Sequence, residues 1–178
     1  MLKKVSFLLI LLLFPFQLFS APKNPVSSVK KLVGNIRYKK NDKAIALIDI
    51  KSFCKNLLPG DYEKLSDGDK KKFEDAMKEY IQARSFPVAL KYFDKIDINY
   101  EKPKKKGNET ELPSSIMYKG SEKIQFSWIL TNSSEGYLIS DFLIKGKLAT
   151  ETNRPKIESA YKKKGLDGLV QLIKKASK

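Results

Sequence analysis

The sequence predicts an α+β fold, a four-stranded curved antiparallel sheet closed by helices, and it does so through one change of texture. Apolar residues recur at helical spacing over 22–94, alternate with period two over 95–146, and return to helical spacing over 152–177. No internal repeat interrupts this order. Once a leader is set aside, residues 21–178 are expected to form a single domain, long enough to bury a full core.

The leader is read from its parts. Lys3 and Lys4 supply positive charge, Phe7 to Phe16 is apolar throughout, and Ser20 and Ala21 are small residues at a cut, with Pro22 disfavouring cleavage after Ala21. Residues 1–20 are expected to be a cleaved signal peptide. The apolar stretch falls short of the roughly 20 residues of a membrane span, and no later segment comes close. The mature protein is therefore expected to be soluble and periplasmic.

Each element then has its own signal. Asn24 before Pro25 is an N-cap followed by proline at the first helical position, and Val26, Val29, Val33 and Ile36 share one face. Asn41 is expected to cap a second helix that carries Ala44, Leu47, Ile48, Ile50, Phe53, Cys54 and Leu57 up to the stop at Pro59-Gly60. Ser66 with Asp69 opens a helix with Phe73, Ala76, Met77, Tyr80 and Ile81 on one side. Pro87 is expected to start a short helix ending at Phe93.

From Lys95 the pattern is that of strands. Ile96, Ile98 and Tyr100 alternate with polar residues; a basic loop spans 102–108; a second strand runs through Leu112 to Tyr118 despite Pro113. After the turn Lys119-Gly120-Ser121, Ile124, Phe126, Trp128 and Leu130 alternate again, and the polar tip Asn132 to Gly136 returns the chain into 137–145. In the tail, Gly165 ends one helix and Asp167 caps the next, with Leu169, Leu172, Ile173 and Ala176 inward.

Composition excludes much chemistry. There is no histidine, which removes Ser-His-Asp and Cys-His nucleophiles and imidazole metal sites; Cys54 is the sole cysteine, so no intrachain disulfide or thiolate zinc site forms. No cofactor or metal is expected. The net charge of +15 comes almost wholly from lysine, with Arg37, Arg84 and Arg154 the only arginines. Base and phosphate readout favours the guanidinium fork, so nucleic acid is not an expected partner. Lysine runs at 70–72, 104–106 and 162–164 suit a solvated surface, or transient contact with anionic headgroups at about 1 kcal/mol per lysine.

The segments Ile124-Gln-Phe-Ser-Trp128, Gly136-Tyr-Leu-Ile-Ser-Asp141-Phe-Leu-Ile-Lys-Gly146 and Lys164-Gly-Leu-Asp-Gly-Leu169 resemble the C-terminal half of the MlaC family, the periplasmic phospholipid carriers of Mla-type lipid-transport systems. The order of leader, capped helix and apolar helix upstream is similar. The chain departs from the family at Tyr137, where tryptophan is usual, and at Lys147 and Leu148, where valine and serine are usual. The resemblance implies a nuclear-transport-factor-like cone around an apolar cavity for acyl chains, and a shuttle without hydrolytic activity. The partners it implies are an inner-membrane Mla-type transporter complex and an outer-membrane lipoprotein-porin complex.

The apolar faces supply walls for such a cavity: Phe53, Leu57, Phe73, Met77 and Tyr80 from the helices, and Ile98, Phe126, Trp128, Phe142 and Ile144 from the sheet. The same faces also suit an ordinary core. Alternation does not decide between Phe142 with Ile144 and Ile139 with Leu143, because both faces of that strand are apolar. Two other classes stay open: a periplasmic binding module of the same fold, and an enzyme of the isomerase or dehydratase kind using Tyr137, Asp141 or Asp97 as acid or base. A buried carboxylate in a small pocket favours the enzyme, and a long apolar cavity favours the carrier.

Overall fold

The computed structural model describes residues 23–133 and 136–178, so the expected leader and the centre of one hairpin tip lie outside the described residues. Helix α1 (Pro25–Arg37) begins as the sequence predicts: the Asn24 side chain accepts from the amides of Val26 and Ser27 at 2.9 and 3.2 Å, satisfying donors that the first turn leaves orphaned. Its inner face is Val29, Leu32, Val33 and Ile36, and buried Ser28 donates to the Tyr137 carbonyl at 2.8 Å.

The expected second helix is two. Helix α2 (Asn41–Ile45) starts at Asn41, with Lys40 rather than Asn41 in the capping position, and α3 (Ile50–Leu57) follows a break at 46–49. The break has a clear cause. Ile48 forms a parallel bridge with Ile139, whose amide donates to Leu47 at 2.9 Å while Asp49 donates back to the Ile139 carbonyl at 2.8 Å. Backbone groups spent on the sheet are unavailable to a helix. Asp49 then caps α3 by accepting from the Ser52 amide at 3.0 Å, and its other oxygen accepts from Thr131 Oγ1 at 2.8 Å.

Helix α4 (Asp67–Tyr80) opens at Ser66, which accepts from the Asp69 amide at 3.2 Å. It does not end before Pro87. A π-helical turn at Ile81–Ser85 carries it into α5 (Phe86–Phe93), with Pro87 in the first turn of α5. Wider turns of this kind accommodate the carbonyl that a proline four residues on leaves without its donor.

The sheet has six strands rather than four: β1 (Asn99–Tyr100), β2 (Lys104–Lys106), β3 (Glu109–Tyr118), β4 (Glu122–Ser133), β5 (Gly136–Ile144) and β6 (Lys147–Leu148). All pair antiparallel in the order β1-β3-β4-β5-β6, with β2 also on β3. Strands β1 and β2 are one interrupted partner of β3, so the expected basic loop contributes a short strand. Pro113 explains the interruption. Its carbonyl accepts from the Glu101 amide at 2.9 Å, so its missing N–H faces the same side, between Tyr100 and Lys104 where the partner strand lapses. At the β3–β4 turn Lys119 and Gly120 have φ of 50° and 76°, the pair of positive angles that a tight hairpin twist requires.

Helix α6 (Ala149–Ser177) begins directly after β6, three residues earlier than expected, and is bent at Gly165, whose φ of 65° and ψ of −174° are non-helical. The expected stop is thus a kink between two helical halves. The arginines have a shared role in holding these pieces. Arg37 Nε donates to the Phe93 carbonyl at 2.8 Å, Arg84 Nε to Ala176 at 2.6 Å and Arg154 Nε to Asn56 at 2.9 Å. The acceptors are carbonyls of the last turns of α5, α6 and α3, which lack intrahelical donors and carry the negative end of the helix dipole.

Candidate functional site

Two apolar clusters result. The first lies between the sheet and the layer of α1, α2 and α5: Val29, Leu32, Val33 and Ile36 from α1, Phe86 and Phe93 from α5, and Leu112, Ile116, Phe126, Trp128, Leu130 and Ile139 from the sheet. The second is helical, built from Cys54, Leu57, Leu58, Tyr62, Phe73, Ala76, Met77, Leu169 and Ile173 where α3, α4 and the second half of α6 meet. Ile50 and Phe53 of α3 touch both.

The sequence-derived candidates divide accordingly. Phe126, Trp128, Phe142 and Ile98 belong to the first cluster or pack on it, and Leu57, Phe73, Met77 and Tyr80 to the second, with Phe53 between them. The structure does not bring all ten around one space. Ile144 is a correction: it is 41% exposed and joins neither cluster. It stands opposite Phe126 in register, but as the last residue of β5 it lies where the helical layer does not reach.

The register answers the question that alternation left open. Trp128 pairs with Phe142 and Leu130 pairs with Ile139, so one extra residue of β5 is accommodated in a bulge between them. The bulge turns Ile139 and Phe142 to the same face, one residue from each of the alternatives. Sequence reasoning also passed over Phe93, which sits 5.6 Å from the Phe126 ring and 5.7 Å from Trp128, centroid to centroid. The spacing Phe86, Leu90, Phe93 on α5 was the available signal.

Between the sheet and α5 these rings pack directly on one another. Phe126 and Phe142 are 5.2 Å apart and Trp128 and Phe142 5.0 Å, close enough for favourable tilted and edge contacts of about 0.5–1.5 kcal/mol each. Two open concavities lie elsewhere on the described residues. One of about 600 Å³ lies between Asn41, Asp42, Gln82 and the end of α6; another of about 350 Å³ has Glu101, Lys104, Glu111, Gln125, Ser127 and Lys145 in its wall and reaches the aromatic layer only at Phe126. In the latter, Lys106 and Ser127 both bond Glu111, at 2.9 Å each, and hold its carboxyl below its ordinary range.

The buried carboxylate is Asp141, on the opposite face from the rings. It accepts from the Phe142 amide at 2.8 Å, from the Thr150 amide at 3.3 Å and from the Thr150 hydroxyl, and so caps the start of α6 from β5. Burial raises its pKa, with the Thr150 hydroxyl opposing. Tyr137 packs on the first cluster and Asp97 is exposed. Among the described residues no group of three or more acidic or cysteine side chains is placed to hold a metal ion, and no helix is long and apolar enough to cross a membrane.

Comparison with known proteins bears on this arrangement. The model of the MlaC protein family matches residues 17–175. No curated protein matches the sequence significantly. Among solved structures, the fold is similar to that of a phospholipid-binding protein from Ralstonia solanacearum, solved in complex with a phospholipid, with a TM-score of 0.71 and 15% identity over 85% of this chain and 93% of that one.

Proposed function

The chain belongs to the MlaC family, and on that premise we propose that it binds phospholipid, with acyl chains taken up between the sheet and the α1–α5 layer. The observation that carries the proposal is the first cluster itself: aliphatic and aromatic side chains from both layers face one another across it. Burial of acyl surface there is worth roughly 25 cal/mol per Å². The rings that fill the layer must part to admit a chain, and acyl carbon then packs where one ring had packed on another.

The face where the layers separate is supported by exposure. Val88 and Tyr92 of α5 are exposed, and Tyr92 stacks on Tyr118 of β3 with centroids 5.3 Å apart. Lys119 stands over the Tyr118 ring at 5.4 Å. In this reading the tyrosines form the lip through which a lipid passes, with headgroups left at the lysine-bearing surface. The protein is a binding protein rather than an enzyme, since Asp141 is committed to α6. By family likeness it is a periplasmic shuttle between an outer-membrane lipoprotein-porin complex and an inner-membrane Mla-type transporter, released there by its signal peptide.

The test is extraction and native mass spectrometry of the full chain expressed with its own leader and purified without detergent. Diacyl phospholipid is expected to accompany the protein. Phe126→Glu places a charge in the layer, at a cost of several kcal/mol when unpaired, and is expected to abolish loading, whereas its cross-strand neighbour Ile144→Glu leaves loading intact. No lipid in the extract and no uptake from vesicles would overturn the proposal.

A further inference from the structure

We propose that the indole N–H of Trp128 is a polar anchor for the bound lipid, donating a hydrogen bond to an ester carbonyl of its glycerol backbone; the inference rests on the phospholipid-binding reading above. Trp128 is 5% exposed, and its Nε1 has no hydrogen-bond partner. An indole nitrogen only donates, and buried donors in folded proteins are nearly always partnered. The rings packed on it offer no conventional acceptor, and Ser114, the buried hydroxyl on the same sheet face, donates to the Leu112 carbonyl at 3.3 Å. The rings of Phe93, Phe126 and Phe142 lie 5.7, 5.8 and 5.0 Å from the Trp128 ring, centroid to centroid, and the cross-strand neighbours are Leu112 and Phe142.

The chemistry of the missing partner follows. An acyl chain has no acceptor, and a phosphate is held best by cations, whereas the side chains packed on the Trp128 ring are those of Phe93, Phe126 and Phe142. A neutral carbonyl at the junction of chain and headgroup is the acceptor that a lipid brings into an apolar layer without charge. Trp128 would thereby fix how deeply the lipid sits and favour ester-linked over ether-linked chains.

The test compares two lipids that differ only there, dioleoyl and di-O-oleyl phosphatidylglycerol, by displacement of a fluorescent phospholipid from the full-length protein. The wild type is expected to bind the diester about tenfold more tightly, the worth of one hydrogen bond of about 1.4 kcal/mol. Trp128→Phe keeps a ring, removes the donor and is expected to narrow the ratio to within about twofold. Because the chain has a single tryptophan, the indole N–H bands in ultraviolet resonance Raman report the same bond in the wild type alone, which decides the matter if the variant does not fold. They are expected to shift on adding the diester and not the diether. Equal affinities in the wild type, or a preference that survives in Trp128→Phe, would overturn the anchor and leave phospholipid binding standing. Binding of neither lipid would overturn both.

Discussion

Arg37 shows how much a single side chain does here. Its guanidinium spans the Phe93 carbonyl at 2.8 Å and the Ile96 carbonyl at 2.5 Å, tying the end of α1 to the end of α5 and the start of the sheet. A lysine is a point charge and cannot span both. Arg37→Lys is therefore expected to lose most of what Arg37→Ala loses, about 1.5–3 kcal/mol by urea denaturation; full rescue by lysine would refute the fork. The scarcity of arginine, legible in the sequence, argued against base readout. The use of each arginine on a helix end was not legible, because its acceptor lies 56 to 98 residues away. Asp141 makes the second case at this scale. A carboxyl whose pKa is raised by burial binds its proton more tightly folded than unfolded, so its contribution to stability is greatest in acid and falls as pH rises above the ordinary value of 3.8. Asp141→Asn keeps an acceptor for the Phe142 and Thr150 amides and removes the titration. The stability difference between wild type and this variant is expected to move against the wild type as pH rises from about 4 toward neutrality, measured as urea midpoints at each pH. A flat difference would show that the folded and unfolded carboxyls titrate alike.

Among the elements, those governed by local chemistry follow the sequence closely and those governed by distant partners do not. Asn24-Pro25, Ser66 and the turn at Lys119-Gly120 each act within four residues, and each stands where the pattern predicts. The break at 46–49 follows a bridge to Ile139, and the orientation of Phe142 follows a bulge in β5; neither is visible in the spacing of either segment alone. Gly165 is legible as a stop and matters as a bend. With φ of 65° and ψ of −174° it occupies backbone space that side chains disfavour strongly, while nothing near would clash with an added Cβ. Gly165→Ala is expected to destabilise by about 1–3 kcal/mol through backbone strain alone. The half of α6 beyond the bend carries Leu169 and Ile173 into the second cluster. The loss should therefore appear in hydrogen exchange as weakened protection of α6 and α4, with β3 and β4 little changed. Uniform loss across the sheet would contradict so local an origin.

At the scale of the whole molecule, the two clusters divide the work. The helical cluster closes on itself through contacts of α6 with α3 and α4, and Arg84 and Arg154 pin α6 at both ends. It has the character of a frame. The first cluster is closed chiefly by side chains, and at its rim α5 meets the sheet through the Tyr92–Tyr118 contact. Sequence patterns identified most members of both clusters but not their division, because an apolar face looks the same whether it packs on a neighbouring helix or across a separable layer. The division predicts where motion is required. With Tyr92→Cys and Tyr118→Cys joined by a short bis-maleimide, α5 is held to the hairpin; buried Cys54, its thiol pKa raised by burial, stays unmodified in the folded protein. Cross-linking before exposure to vesicles is expected to block lipid uptake, and cross-linking afterwards to retain lipid already bound, while the same variant without the linker exchanges freely. Unhindered uptake by the linked protein would place the opening elsewhere, with the seam between the clusters at Phe53 and Ile50 the next to be tested, since those residues touch both.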